Sequence, residues 1–240
     1  MKTKILGKNL FETNLSGKKI LDEIKRNKSN IKHGKDIWNI YDFLYLDKMK
    51  MPNLKILEIT IPASSKFTIE SKSMKLYLNE FYNKSFKKQE DVIKCIKNDI
   101  ESIVKTKIKI KFINKFYEEP KNINLNKLSA ANTEPETILK FNGFRSICPV
   151  TSQPDLANIY IYSDKPLSVN WVKKYLLSYQ EQGDFHEQCI ESIYLDLNTK
   201  FNCKKLEVCG RFQRRGGIDI NPFRGSSNKI LNKNFREFNQ

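Results

Sequence analysis

Residues 106–112 (TKIKIKF) alternate strictly, with Ile108, Ile110 and Phe112 set against three lysines. Successive side chains of a strand point to opposite faces, so this segment reads as a strand with one apolar side. Ahead of it, Val92, Ile96, Ile100 and Ile103 recur at helical spacing in 89–104, a short helix fits 73–83, and 54–61 (LKILEITI) puts Leu57, Ile59 and Ile61 on one face. The same order returns about a hundred residues later. Residues 158–162 (NIYIY) read as a strand, and 168–182 as a helix with Val172, Tyr175, Leu176 and Tyr179 on one stripe and Ser168 placed to cap it. A second helix over 186–202 carries Ile190, Ile193, Tyr194, Leu197 and Phe201, and 205–212 (KLEVCGRF) reads as a strand. Such stripes must be buried against something. Two antiparallel sheets, each with a helix pair on one face, bury them all. The expected class is α+β, with one module over 1–115, a polar linker over 116–139 that holds two prolines and several Asn, and a second module over 140–240.

The chain has 240 residues, enough for one large or two small cores. No apolar run reaches the ~20 residues of a membrane span, and the N-terminus has no apolar stretch ending in small residues, so neither a leader nor a membrane anchor is expected and the cytoplasm is the expected location. The net charge is +16, but 36 of the 43 basic residues are Lys and only seven are Arg. Base-edge readers lean on Arg forks; Lys spread along the chain reads as solvated faces, and a basic surface also suits an anionic cofactor. Cys95, Cys148, Cys189, Cys203 and Cys209 form no CxxC, and His33 and His186 are the only histidines, so neither a disulfide framework nor a metal site is expected.

Three islands are not explained by periodicity. In FRSICPVTSQPD (144–155), Cys148 stands ahead of a strand, and Asp155 follows across a turn stiffened by Pro149 and Pro154. A thiolate adds to carbon–nitrogen multiple bonds, the nitrogen then needs a proton, and Asp155 can give one. A buried structural Cys and a turn Asp account for the same spacing. In GDFHEQCIE (183–191), Asp184 and Glu187 have the form of a capping box. Glu187 can also accept two hydrogen bonds from an amidine edge such as that of guanine, with His186 beside it to position the base or relay a proton. The third island pairs TIESKSMKLY (68–77) with RRGGIDINPFR (214–224). Its glycines allow close backbone approach and its Arg pair suits a phosphate; a solvated turn and a helix start are the plainer account.

Taken in order, ESKSMKLY (70–77), CPVTSQPD (148–155), FHEQC (185–189) and RRGGIDINPFR resemble the signature blocks of the NADPH-dependent nitrile reductases that convert 7-cyano-7-deazaguanine to 7-aminomethyl-7-deazaguanine for queuosine. WNIYDFLYL (38–46) is similar to their N-terminal half, and ESKS ahead of the Cys resembles the long, two-module form. The sequence departs from that form in a shorter N-terminus and a compressed linker. The resemblance implies tandem tunnelling-fold modules, a homodimer, and no direct contact with nucleic acid. It implies a covalent thioimide on Cys148, with Asp155 as the proton donor. It further implies that Ile69, Glu70, Ser71, His186 and Glu187 bind the 7-deazaguanine base, and that Ser71, Lys72, Arg215 and Gly216 hold NADPH. No strand–helix Gly-rich dinucleotide fingerprint is present. Two rivals differ in kind: a pterin-forming cyclohydrolase on the same fold would need zinc ligands, and a basic RNA-binding module would need no Cys148.

Overall fold

The computed structural model describes residues 15–27 and 30–240; residues 1–14, and with them the expectation about a leader, lie outside it. The chain is α+β and forms two compact units. Of the described residues, the first unit takes in 15–27, Ile37–Lys115 and Arg214–Ile218. The second takes in Asn30–Asp36, Phe116–Gln213 and Asp219–Gln240.

In the first unit the elements run β1 (Glu23–Lys25), β2 (His33–Leu46, from Ile37 onward), β3 (Pro52–Pro62), β4 (Phe67–Ile69), α1 (Ser71–Asn79), α2 (Gln89–Val104) and β5 (Lys109–Ile113). The sheet order is β5-β3-β2, and β1 and β4 form a separate antiparallel ladder. The alternation read from sequence sets the register of β3 against β5, with Ile59 opposite Ile110 and Leu57 opposite Phe112. On α2 the buried row is Val92, Ile96, Ile100 and Val104, each four residues on from the last. Val104, rather than Ile103, completes the stripe. The helix stops at Lys105, whose left-handed backbone turns its N–H back to the Glu101 carbonyl. The Tyr77 hydroxyl of α1 donates to Asp99 of α2 at 2.8 Å and so ties the two helices together.

In the second unit come β6 (Ile123–Asn124), β7 (Thr137–Ile147), β8 (Pro154–Ser163), α3 (Val169–Leu177), α4 (His186–Phe201), β9 (Leu206–Phe212) and β10 (Ile218–Gly225), in the sheet order β10-β9-β8-β7-β6. All pairs are antiparallel except β6 with β7. Ser168 occupies the N-cap of α3, though its hydroxyl makes no capping bond. Val172 and Leu176 of α3 and Ile190, Ile193 and Leu197 of α4 pack against Ile159, Ile161, Val208 and Phe212 of the sheet. On the opposite face, Tyr160, Tyr162 and Phe223 meet Leu231 and Phe235 from the C-terminal segment. Strand β8 is therefore covered on both sides. Residues 116–139, read from the sequence as a linker, carry β6, and Leu125 enters this unit's core.

Besides the short β1, β4 and β6, three long strands escaped the periodicity. β7 has its alternation broken by a bulge: Leu139 and Phe141 face the core, then Gly143 (φ +76°) shifts the register so that Phe144 and Ser146 do. β2 has five buried residues in a row, Asp36–Ile40, and β10 is buried throughout, so no period of two marks them. β10 is also polar: Asp219, Asn221 and Arg224 are all buried in it. Arg224 is paired with Asp36 at 2.8 Å and with Glu191 of α4 at 3.1 Å.

Candidate active site

Cys148 stands at the mouth of the β7–β8 hairpin. Ile147 pairs with Pro154 and Ser146 with Asp155, which leaves the thiol one residue past the last paired position. The loop closes on itself: the Cys148 N–H donates to the Gln153 carbonyl (2.9 Å), and the Ser152 N–H donates to the Cys148 carbonyl (3.0 Å). Ser152 takes a left-handed conformation (φ +55°) to do this. Ile147 also donates its N–H to the Gln182 carbonyl, which sets the segment leading into α4 beside the hairpin. Cys148 is half-buried, whereas Cys189, Cys203 and Cys209 are buried. Burial pushes the Cys189 thiol up to about 12.

Asp155 is only 5% exposed, and its Oδ2 lies 3.3 Å from His186 Nε2. The His186 ring lies flat on Phe212, with centroids 3.9 Å apart and planes within 11°. Its Nδ1 is buried and has no hydrogen-bond partner among the described residues. Glu187 follows in the first turn of α4 at 6% exposure, where the helix dipole favours a negative charge. The capping box expected at Asp184 and Glu187 does not form; one residue on, only a return arm is present, because the phenylalanine at the N-cap has no side-chain acceptor. The N-cap is Phe185, and its N–H donates to the Gln188 side chain at 3.4 Å. Glu187 therefore is not the box's return arm. Phe212 carries no sequence signal beyond its place in an apolar strand.

In the first unit, Ile69 ends β4 and Glu70 caps α1. The Glu70 carboxylate is 1% exposed and accepts from the N–H groups of Lys72 and Ser73, both at 2.8 Å, and from the Ser71 hydroxyl at 3.3 Å. Burial raises its pKa, and these three donors oppose the rise. Arg215 and Gly216 lie in a tight hairpin turn. The Arg215 N–H donates to the Ile218 carbonyl at 2.8 Å, and Gly216 and Gly217 both have positive φ (+59° and +84°), as a two-residue type I′ turn requires. The glycines thus have a backbone reason to be there whatever binds. Lys75 of α1 presses on Gly216, where a Cβ would stand 2.7 Å from its Nζ, and the Asp42 carboxylate presses on Gly217. Tyr41 holds the turn from β2, through its N–H to the Gly217 carbonyl (2.9 Å) and through its ring under the Arg214 guanidinium. Lys75 belongs to the 68–77 island, whereas Asp42 carries no signal of its own in the sequence. Among the described residues no cluster of His, Cys, Asp and Glu has the makings of a metal site, and no helix is long and apolar enough to cross a membrane.

A half-buried thiol at a hairpin mouth thus shares its unit with a buried carboxylate–imidazole pair, the groups a cysteine-dependent enzyme of the α+β class would use. Comparison with known proteins makes the class particular. Residues 12–112 match the family described as nitrile reductase, 7-cyano-7-deazaguanine-reductase N-term, and residues 154–230 match the QueF-like protein family. A relative from Buchnera aphidicola subsp. Schizaphis graminum is 36% identical over 238 residues, covering 89% of this chain and 91% of its own length. Relatives from Desulfotalea psychrophila and Polaromonas sp. are 35% and 34% identical, covering 80% and 85% of this chain and 78% and 82% of theirs. All three bear the name NADPH-dependent 7-cyano-7-deazaguanine reductase. The chain belongs to the 7-cyano-7-deazaguanine reductase family.

Proposed function

We propose that this chain reduces the nitrile of 7-cyano-7-deazaguanine to the aminomethyl group at the expense of NADPH, as a cytoplasmic homodimer of tandem tunnelling-fold modules that contacts no nucleic acid directly. Beyond the family, the observation that supports the chemistry is the Asp155–His186 contact in the unit whose β7–β8 hairpin carries Cys148. Cys148 adds through sulfur to the nitrile carbon, and the nitrogen takes a proton from Asp155, leaving a thioimide. NADPH, when bound, supplies a hydride for each of two reductions. After the first, the carbon–sulfur bond breaks, Cys148 leaves as thiolate, and an imine remains. After the second, a further proton completes the amine. The covalent step divides one hard reduction into easier ones.

Glu187 accepts from the amidine edge of the base, with His186 beside it, and Ile69, Glu70 and Ser71 supply further base contacts. For Glu70 this is an additional duty, since its carboxylate already caps α1. Ser71, Lys72, Arg215 and Gly216 hold NADPH. The donor set in the first unit fits such a group: the Lys75 ammonium lies against the Arg215–Gly216 turn, so cationic side chains and a bare glycine backbone meet there, with the Asp42 carboxylate offsetting part of the charge.

The deciding experiment follows NADPH oxidation at its near-UV absorbance after 7-cyano-7-deazaguanine is added. Two NADPH should be consumed per base, and the product should be the aminomethyl compound by mass. A folded protein that oxidises no NADPH would overturn the reading.

A further inference from the structure

Gly210 and Phe212 are successive residues on one face of β9, and the space above Gly210 is taken. A Cβ there would stand 2.7 Å from Phe212 Cε2 and 2.8 Å from Ile190 Cδ1. Ile190 belongs to α4, four residues past His186, so the bare glycine lets the helix and the Phe212 ring both lie close to the strand. Phe144 meets the edge of the same ring at 88°, which fixes its plane. One face of Phe212 is then covered by His186 at 3.9 Å. A flat stack grips an imidazole without using either nitrogen. Nε2 is left to Asp155, and Nδ1 is buried without a partner among the described residues. A buried polar atom without a partner costs free energy unless something that binds there supplies one.

We infer that Phe212, seated by Gly210, is a positioning residue that holds the His186 ring so that Nδ1 hydrogen-bonds the bound base while Nε2 keeps Asp155. This rests on the reading above that His186 contacts the base.

The test is Phe212→Leu beside Phe212→Tyr in the full-length protein, with two readouts. The first is the proton NMR of the imidazole C–H groups, which is simple to assign because His33 and His186 are the only histidines. Stacking shields the His186 protons, so one set should lie upfield, move downfield in the Leu variant and stay in place in the Tyr variant. The second is steady-state kinetics. KM for the nitrile base should rise about three- to tenfold in the Leu variant, the range that an aromatic pair's stacking allows. KM for NADPH should hold, and Tyr should restore the base KM. Should Phe212→Leu not fold, Gly210→Ala displaces the same ring and is expected to give the same two signatures. An unchanged base KM in a folded variant that has lost the upfield signal would overturn the inference, as would equal losses for both substrates. A wild-type protein that shows the upfield signal but no nitrile reduction would overturn the proposed function and leave the stack standing.

Discussion

Cys189 lies on α4 two residues past Glu187, yet burial keeps its thiol protonated at neutral pH, whereas Cys148 stands half-buried at a hairpin mouth. Iodoacetamide at neutral pH should therefore label Cys148 well ahead of Cys189, Cys203 and Cys209, as peptide mass mapping would show; labelling of Cys189 first would contradict the burial. Cys148→Ala should abolish both turnover and any covalent adduct, and turnover at the wild-type rate would remove the thioimide from the mechanism. Glu187→Gln should raise KM for the base by about ten- to a hundredfold, as expected for a lost hydrogen bond to a charged group, and leave KM for NADPH unchanged. The residues proposed for the site were all legible in the sequence, but through the four family blocks rather than through spacing. Spacing alone left Cys148 as a structural cysteine and Glu187 as a helix cap. The Asp155–His186 contact and the Phe212 stack join residues 31 and 26 positions apart, and only the folded sheet brings them together.

Elements whose two faces differ were easy to read, and elements buried on both faces were not. β5 and α2 each show one wet side; β10 hides a polar strand in the interior, and its Arg224 is held there by Asp36 and Glu191. Arg224→Ala leaves Asp36 buried without that partner and should cost about 3–5 kcal/mol of stability in denaturant titration. The start of α1 responds to pH. Because burial raises the Glu70 pKa above its unfolded value, the folded chain holds that proton more tightly than the unfolded one. Its contribution is full below the ordinary carboxylate value and is lost as pH rises through the raised one. Glu70→Gln should remove that fall in melting temperature just above the ordinary carboxylate range; an unaltered slope would show that other groups cause it.

For the whole molecule, the repeated order of strand, helix, helix and strand was visible because each helix stripe and strand face had to be buried somewhere. The bulge at Gly143 and the involvement of residues 116–139 in the second core had no periodic trace. The net charge of +16 has a kinetic consequence: KM for anionic NADPH should climb with added salt more steeply than KM for the neutral base, as steady-state rates over a salt series would show. The course of the chain carries another. Residues Arg214–Ile218 fold with the first unit although they follow Gln213 and precede Asp219, which fold with the second, and Asn30–Asp36 fold with the second although 15–27 and Ile37 fold with the first. A gene cut once after Lys115 would give one half without its arginine–glycine turn and another without the Asp36 that neutralises Arg224. A cassette taken at that single breakpoint therefore carries neither unit whole.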